Sequence, residues 1–257
     1  MLALVRASHP EPVLVVTALT GALALVAGRG PGTAWVVLAV LAGQLFVGWS
    51  NDYLDRERDT GRTDKPIVGN QVAAGTVRIA AVVALVAAVP LSLASGLAAA
   101  VVHFAGIASA TAYNLGLKAT VLSAAPYALS FSLVPAFVTL GLAHPHWPPA
   151  WMMAAAALIG VGGHFAQARP DVERDRRQHV LGLPQLAGDR GAAIVAALFL
   201  AAGAAAIAIG ARNALPLIAF VPAIGVAITP PRPSFLLTLA TAALSAAAFL
   251  LIAGRSA

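Results

Sequence analysis

Residues 33–59 read TAWVVLAVLAGQLFVGWSNDYLDRERD. The first part, 33–51, is almost wholly apolar. At 1.5 Å per helical residue it is long enough to cross a hydrocarbon core of about 30 Å. The second part, 52–59, holds four carboxylates and two arginines. The stretch therefore predicts a transmembrane helix that ends in a concentrated group of charges at one membrane face.

The rest of the chain repeats this apolar pattern. Of its 257 residues, 60% are hydrophobic and 10% are charged, whereas a soluble domain has about 25% charged residues. One protein core cannot bury so much apolar surface, so the bilayer must surround most of it. We predict an all-α integral membrane protein, a single domain over residues 1–257, with nine transmembrane helices. Their expected ranges are 12–28, 33–51, 75–93, 96–115, 121–142, 150–169, 190–210, 213–229 and 234–253.

The basic residues indicate how these helices are oriented. With the N-terminus inside, 13 of the 16 Lys and Arg residues fall in inner segments, and only Arg29, Arg212 and Arg255 fall in outer ones. Positive residues are enriched in cytoplasmic loops, so the N-terminus is predicted inside and the C-terminus outside. We expect a bacterial cell membrane. The net charge of +6 follows from this bias, and no nucleic-acid partner is expected.

The acidic residues are concentrated in two inner loops, which topology does not explain because Asp and Glu contribute little to orientation. Nine of the ten acids lie there. Like charges four residues apart on a helix repel, so a bound cation is expected between them. Mg²⁺ prefers oxygen ligands, commonly one or two carboxylates together with substrate phosphates. The nine acids are Asp52, Asp55, Glu57, Asp59, Asp64, Asp171, Glu173, Asp175 and Asp189.

Polar side chains inside the apolar segments are a further group of candidates, because burying them in a membrane is costly. Gln44 lies two helical turns before Asn51 on the same face. Positions 164, 168, 171 and 175 would share one stripe if Pro170 only kinks the helix, and Arg169 would then line the approach to Asp171. Interhelical hydrogen bonding is the structural alternative. The pocket candidates are Gln44, Tyr113, Asn114, His164 and Gln167.

Several of these patterns together resemble the signatures of the UbiA superfamily of intramembrane prenyltransferases. The first is Asn51-Asp52-x-x-Asp55-x-x-x-Asp59 followed by Asp64-Lys65-Pro66-Ile67. The second is Asp171-x-x-x-Asp175 followed by Gly182-Leu183-Pro184, and the segment from Tyr113 to Lys118 resembles a short third element. The resemblance extends over essentially the whole chain and implies a UbiA-like helical bundle.

The resemblance also implies roles for individual residues. Mg²⁺ would be bound by Asn51, Asp52, Asp55, Asp171 and Asp175, and would neutralise the diphosphate of an isoprenyl diphosphate substrate. Asp59 would bind metal through water or orient a basic residue, completing the expected catalytic set. The expected diphosphate ligands are Arg62, Lys65, Lys118 and Arg174. The active site would then lie on the cytoplasmic face.

Three functions remain open from the sequence. The first is a transferase that moves a prenyl group to a small acceptor, either an aromatic ring or a polar alcohol. The second is a membrane terpene cyclase of the same superfamily, in which the substrate's own double bonds attack the cation and no acceptor is needed. The third is a transporter or channel, although transporters usually place such residues near the bilayer midplane. Prenyl chain length, acceptor identity and oligomeric state cannot be derived from the sequence.

Overall fold

The computed structural model describes residues 1–254, and all regular elements in that range are helical. Residues 255–257, which include Arg255 of the predicted outer set, lie outside the described residues. A short helix α1 (Leu2–Ala7) precedes the bundle, and a short helix α8 (Val172–Arg177) lies in the second acidic loop. The longer helices are α2 (Pro10–Val26), α3 (Thr33–Asp55), α4 (Ala74–Leu93), α5 (Leu97–Leu115), α6 (Ala125–Thr139), α7 (Ala150–Ala168), α9 (Leu183–Gly210), α10 (Phe220–Ile228) and α11 (Pro231–Gly254).

Each of the nine predicted apolar segments coincides with one of these longer helices. Five helical segments are long and apolar enough to cross a membrane: Gly30–Asp55, Ala74–Leu93, Leu97–Leu115, Leu183–Gly210 and Pro231–Ala253. Three shorter apolar helices accompany them. The helical, multi-pass character is thus confirmed, and the number of nine crossings stays a prediction.

Helices α7 and α9 pack closely because glycines face the partner helix. A Cβ on Gly162 would lie 2.7 Å from Cγ of Leu200, and a Cβ on Gly203 would lie 2.6 Å from Cγ1 of Ile159. Small residues at such positions let helix backbones approach in membrane proteins, where van der Waals packing drives association. The glycines therefore fix the spacing of the two helices on which the second acidic loop is mounted.

We expect Gly162→Ala to destabilise the protein by about 1–3 kcal/mol, the usual effect of overpacking, because Leu200 must move to accept the methyl group. Gly163→Ala is the matched control, since a Cβ on Gly163 has open space around it. Thermal unfolding in detergent measures both. Equal melting temperatures for the two variants would contradict the packing account.

The N-terminus lies at the same end of the bundle as the acidic loops. Arg6 donates from Nη1 to Oε1 of Gln71 and from Nη2 to the carbonyl oxygen of Asp64, both at 3.0 Å. At the opposite end, Nη2 of Arg29 donates to Oγ of Ser95 at 2.8 Å. Residues 1–9, here called the N-terminal strap, therefore run along the membrane face that carries the acids.

The predicted orientation can be tested with single cysteines, because the chain has none of its own. Thr60→Cys lies in the first acidic loop and His144→Cys in the α6–α7 connection, both at exposed positions. With the N-terminus inside, a membrane-impermeant maleimide should label His144→Cys in intact cells and Thr60→Cys only after permeabilisation. The reverse pattern would overturn the orientation.

Candidate functional site

A cavity of about 290 Å³ opens where the two acidic loops meet. Fourteen of the fifteen predicted site residues line it: Gln44, Asn51, Asp55, Asp59, Arg62, Lys65, Tyr113, Asn114, Lys118, His164, Gln167, Asp171, Arg174 and Asp175. Asp52 does not form part of the wall. It is 3% exposed, and its Oδ1 lies 3.6 Å from Nζ of Lys65, which does line the cavity.

The first acidic group sits at the end of α3. The helix ends at Asp55, so Asn51, Asp52 and Asp55 are helical, whereas Asp59 lies in the following turn. The backbone N–H of Asp59 still donates to the carbonyl oxygen of Asp55 at 2.8 Å, which continues the helical spacing by one turn. Asp59 therefore comes close to its expected face although it is outside the helix.

Asn51 is held by a polar bridge to α5. Its Nδ2 donates to Oδ1 of Asn114 at 3.0 Å and to Oδ2 of Asp55 at 3.3 Å. Nδ2 of Asn114 in turn donates to the carbonyl oxygen of Val47 at 3.0 Å and to Oγ of Ser50 at 3.1 Å. The amide group of Asn51 is thus bound both to α5, through Asn114, and to the acidic group, through Asp55.

Ion pairs join the two acidic loops. Arg174 Nη2 lies 2.8 Å from Oδ1 of Asp59, and Arg62 Nη1 lies 3.0 Å from Oδ1 of Asp171. Each pair crosses from one loop to the other. Asp59 is therefore paired with a basic residue of the other loop, and its role in the site stays a prediction.

Asp55 is bound by two cations. Lys118, in the short 3₁₀ turn Leu117–Ala119 after α5, donates from Nζ to Oδ1 of Asp55. Arg58 Nη2 donates to Oδ2 of the same carboxylate at 2.8 Å. Burial lowers the pKa of Lys118, and the negative charge of Asp55 opposes that shift.

Two buried carboxylate oxygens have no hydrogen-bond partner, namely Oδ2 of Asp52 and Oδ1 of Asp175. The other oxygen of Asp175 accepts a hydrogen bond from Nε2 of Gln185 at 2.9 Å. Burial raises the pKa of Asp175, and the nearby Arg58 opposes the shift. Buried polar atoms are normally satisfied, so these two oxygens are ready to bind a ligand.

The donor set fits a hard divalent cation, because it consists of carboxylate and amide oxygens. Within residues 1–254, no three His, Cys, Asp or Glu side chains converge closely enough to enclose a metal ion on their own. A cation held by one or two carboxylates, with its remaining ligands from water and a bound phosphate, is the coordination that Mg²⁺ favours. The site thus fits a metal that arrives with an anionic substrate.

The second acidic group is not on one continuous α-helix with His164, but positions 164, 168, 171 and 175 of the predicted stripe all line the cavity. Pro170 ends α7 at Ala168, and a 3₁₀ turn, Arg169–Asp171, follows before α8 begins. Proline removes a backbone donor and clashes with the preceding turn. Asp171 lines the cavity from the 3₁₀ turn, and Asp175 lines it from α8.

Arg169 was expected along the approach to Asp171 and instead points away from it. Its Nε lies 2.8 Å from Oδ1 of Asp189. Nη1 donates to the carbonyl oxygen of Thr229 at 3.0 Å. Arg169 is 6% exposed and serves to satisfy the backbone at the end of α10. The sequence could not reveal the contact with Thr229, which lies 60 residues away along the chain.

An aromatic wall lines the same cavity as the two acidic groups. The ring of Tyr113 lies 5.1 Å from that of Tyr127 and 5.5 Å from that of His164, measured between centroids. Tyr127 also stacks at 6.3 Å on Phe131 and donates from its hydroxyl to Oε1 of Gln167 at 3.1 Å. The wall places π faces next to the charged end of the cavity.

A second, almost wholly apolar groove of about 190 Å³ runs between α2, α6, α7 and α11. It shares wall residues with the main cavity, among them Tyr127, Phe131 and Gln167. The far end of the main cavity carries His103, whose ring stacks on Phe137 at 4.6 Å. The cavity with the charged mouth therefore lies directly beside an apolar groove and shares part of its wall.

Four residues of the site escaped the sequence reasoning. Arg58 and Gln185 bind the acids directly, and Tyr127 and His9 line the cavity. The sequence did contain a signal for Arg58, because it follows Asp55 by three residues and would lie on the same helix face. The other three come from segments whose approach to the acids depends on the folded backbone.

The model of the UbiA prenyltransferase family matches residues 14–253. The chain belongs to this family. This match confirms the resemblance to the family that the sequence motifs suggested. Comparison of the sequence with curated proteins finds no match.

Solved structures of UbiA homologues share the fold. One from Aeropyrum pernix K1 has a TM-score of 0.75 at 17% identity, covering 94% of this chain and 98% of that one. One from Archaeoglobus fulgidus, bound to GPP and Mg²⁺, has a TM-score of 0.73 at 14% identity, covering 98% of both chains. A structure of digeranylgeranylglyceryl phosphate synthase gives 0.68 at 13% identity, again covering 98% of both.

We expect Asn114→Ala to destabilise the protein by about 1–2 kcal/mol, because it removes a buried bridge and leaves one amide hydrogen of Asn51 without an acceptor. Thr111→Ala is the matched control. Thr111 lies one turn earlier on α5, and its Oγ1 donates only to Ile107 of the same helix, at 2.8 Å. Chemical denaturation in mild detergent measures both variants. A loss for Thr111→Ala as large as that for Asn114→Ala would contradict the bridging role.

Proposed function

We propose that this chain is a Mg²⁺-dependent intramembrane prenyltransferase, which transfers a prenyl group from an isoprenyl diphosphate to a small, aromatic acceptor at the cytoplasmic membrane face. One observation carries the proposal. A single cavity brings together two facing acidic groups, five of the chain's cations and an aromatic wall, and it shares part of that wall with an apolar groove. A diphosphate with an apolar tail has the matching distribution of charge and shape.

Mg²⁺ would be held by the oxygen donors of the two acidic groups. The unpartnered oxygens of Asp52 and Asp175 support this assignment, as do the UbiA homologues from Archaeoglobus fulgidus solved with Mg²⁺ and GPP or DMAPP. When bound, Mg²⁺ neutralises the diphosphate and assists its departure as a Lewis acid. The proposed ligands are Asn51, Asp52, Asp55, Asp171 and Asp175.

The cations around the cavity would bind the phosphate oxygens. Arg62, Lys118 and Arg174 are each paired with a carboxylate within 3.0 Å, and Lys65 lies 3.6 Å from Asp52. With the metal held by their partner carboxylates, Arg62, Lys65 and Lys118 would be free to turn to the diphosphate. Arg174 would keep its pair with Asp59 and use its remaining N–H groups. Arginine then binds phosphate as a two-pronged donor and lysine as a point charge.

Prenyl transfer breaks the bond between C1 of the prenyl group and the bridging oxygen, and the electron pair leaves with the diphosphate. The acceptor forms a new bond to C1 and loses a proton. Tyr113, Tyr127 and Phe131 would present π faces to the positive charge on the allylic carbons, and their rings would keep water away from it. The apolar tail would extend into the groove between α2, α6, α7 and α11.

The decisive test is product analysis on purified protein. With Mg²⁺ and C10, C15 and C20 allylic diphosphates, we expect pyrophosphate and a prenylated product only when an aromatic acceptor is supplied. Asp52→Ala and Asp171→Ala should each lower the rate on the order of a hundredfold or more, the usual effect of removing a group that stabilises transition-state charge.

Matched controls come from the neighbouring acids. Glu57 and Glu173 lie in the same loops, but their side chains are 83% and 74% exposed and face solvent. Glu57→Gln and Glu173→Gln should therefore keep the wild-type rate. A cyclic hydrocarbon or alcohol formed without acceptor would instead establish the terpene cyclase. No Mg²⁺-dependent turnover, with wild type equal to Asp52→Ala, would reject both enzymes.

A further inference from the structure

The N-terminal strap contributes to the cavity wall a histidine to which the proposed function assigns no role. His9 is the last residue of the strap, and its ring lines the cavity. It precedes residue 14, where the family match begins, so the family signatures give no indication of it. The charged groups that act on its ring are Lys65, Asp59, Arg62 and Asp171, which are the groups around the proposed diphosphate position.

The backbone at His9 is in the left-handed region, with φ 58° and ψ 68°. A non-glycine residue there is uncommon, and such residues persist only where surrounding contacts enforce the conformation, often at binding sites. This backbone turns the chain from α1 into α2 directly beside the cavity. A glycine would adopt the turn more readily, whereas this chain places an imidazole at that point.

The strap is fastened by contacts of the residues that precede His9. Nε1 of Trp49 donates to the carbonyl oxygen of Leu4 at 2.8 Å, and Arg6 binds the first acidic loop as described above. Gly48 lets the strap approach α3 closely, because a Cβ at that position would lie 2.2 Å from the carbonyl oxygen of Ser8. The position of His9 is thus set by contacts with α3 and with the loop that carries Asp64.

The imidazole of His9 lacks a partner where one is expected. Its Nε2 is buried and has no hydrogen bond, although buried polar atoms are nearly always paired. Burial, and then the positive charge of Lys65, lower the pKa of His9 to about 4, so the ring is neutral at pH 7. A neutral imidazole protonated at Nε2 offers one donor, and a diphosphate oxygen held between Lys65 and Arg62 is an acceptor.

We infer that His9 is a diphosphate-binding residue, whose Nε2–H donates to a phosphate oxygen of the bound isoprenyl diphosphate from the side of the N-terminal strap. This inference rests on the proposed function. It assigns the strap a direct part in substrate binding, in addition to covering the first acidic loop. Nε2 of His9 has no acceptor among the described residues, and a phosphate oxygen of the substrate would supply one.

The test is a binding measurement with geranyl S-thiolodiphosphate, an analogue that does not ionise readily, in the presence of Mg²⁺. Isothermal titration on the full-length protein in detergent gives the dissociation constant. We expect His9→Phe, which keeps a ring but has no N–H, to raise the Kd roughly ten- to a hundredfold, the range for a hydrogen bond to a charged group. His9→Gln, whose amide nitrogen matches the Nε2 position, should recover most of the affinity.

His179→Phe is the matched control. His179 has the same left-handed backbone, with φ 60°, and lies on the same membrane face, but its side chain is exposed. It should bind the analogue as the wild type does. If His9→Phe does not fold, His9→Asn replaces it, because asparagine tolerates the left-handed region and its amide falls short of the Nε2 position. His9→Asn should also raise the Kd.

The outcomes separate this inference from the proposed function. Wild-type binding of the analogue that Asp171→Ala abolishes and His9→Phe leaves unchanged would overturn the role of His9 alone. A wild-type protein that binds neither the analogue nor inorganic pyrophosphate would overturn the proposed function and this inference with it. Weakened binding in His9→Phe with recovery in His9→Gln would establish the strap as part of the binding site.

Discussion

The organisation of the site depends on compensating carboxylates that are buried at the edge of a membrane. Asp52, Asp55 and Asp59 are between 3% and 7% exposed, and an unpaired charge in such surroundings is strongly destabilising. Arg58 and Lys65 of the same loop compensate part of this charge, and the other cations come from distant parts of the chain, Lys118 from the turn after α5 and Arg174 from α8. The loops must therefore meet at one place for the charges to be neutralised, and that place is the cavity.

The same pairing explains how the site could exchange ligands. Three of the four proposed phosphate ligands, Arg62, Lys65 and Lys118, are paired with a carboxylate that is itself a proposed metal ligand. The fourth, Arg174, is paired with Asp59. Mg²⁺ and a diphosphate carry opposite charges, so together they could replace these internal pairs without leaving a charge uncompensated. Asp59 and Arg174 form the pair that joins the two loops most directly, at 2.8 Å, and would hold the loops near one another during the exchange.

Helix α7 packs against α9 on one side and against the cavity wall on the other, and both sides need small residues as well as side chains that make contacts. On the side of α9, Gly162 allows close backbone approach. On the cavity side, Gly160 leaves room for the ring of Phe131, because a Cβ there would lie 2.6 Å from Cγ of that ring. His164 and Gln167 then carry the polar contacts of the aromatic wall. A helix of uniformly large apolar residues could neither pack so closely nor leave this space.

The sequence by itself determined the apolar helices, the two acidic groups and the family, because these depend on composition and on spacing along one helix. Fourteen of the fifteen predicted site residues line one cavity for that reason. The tertiary structure alone decided that Asp52 lies behind Lys65, that Arg169 turns to Asp189 and that Tyr127 faces His164. It also decided that His9 reaches the site. These are contacts between segments distant in the chain, and they are set by helix packing and by the end of α7 at Pro170, which periodicity along a single helix does not encode.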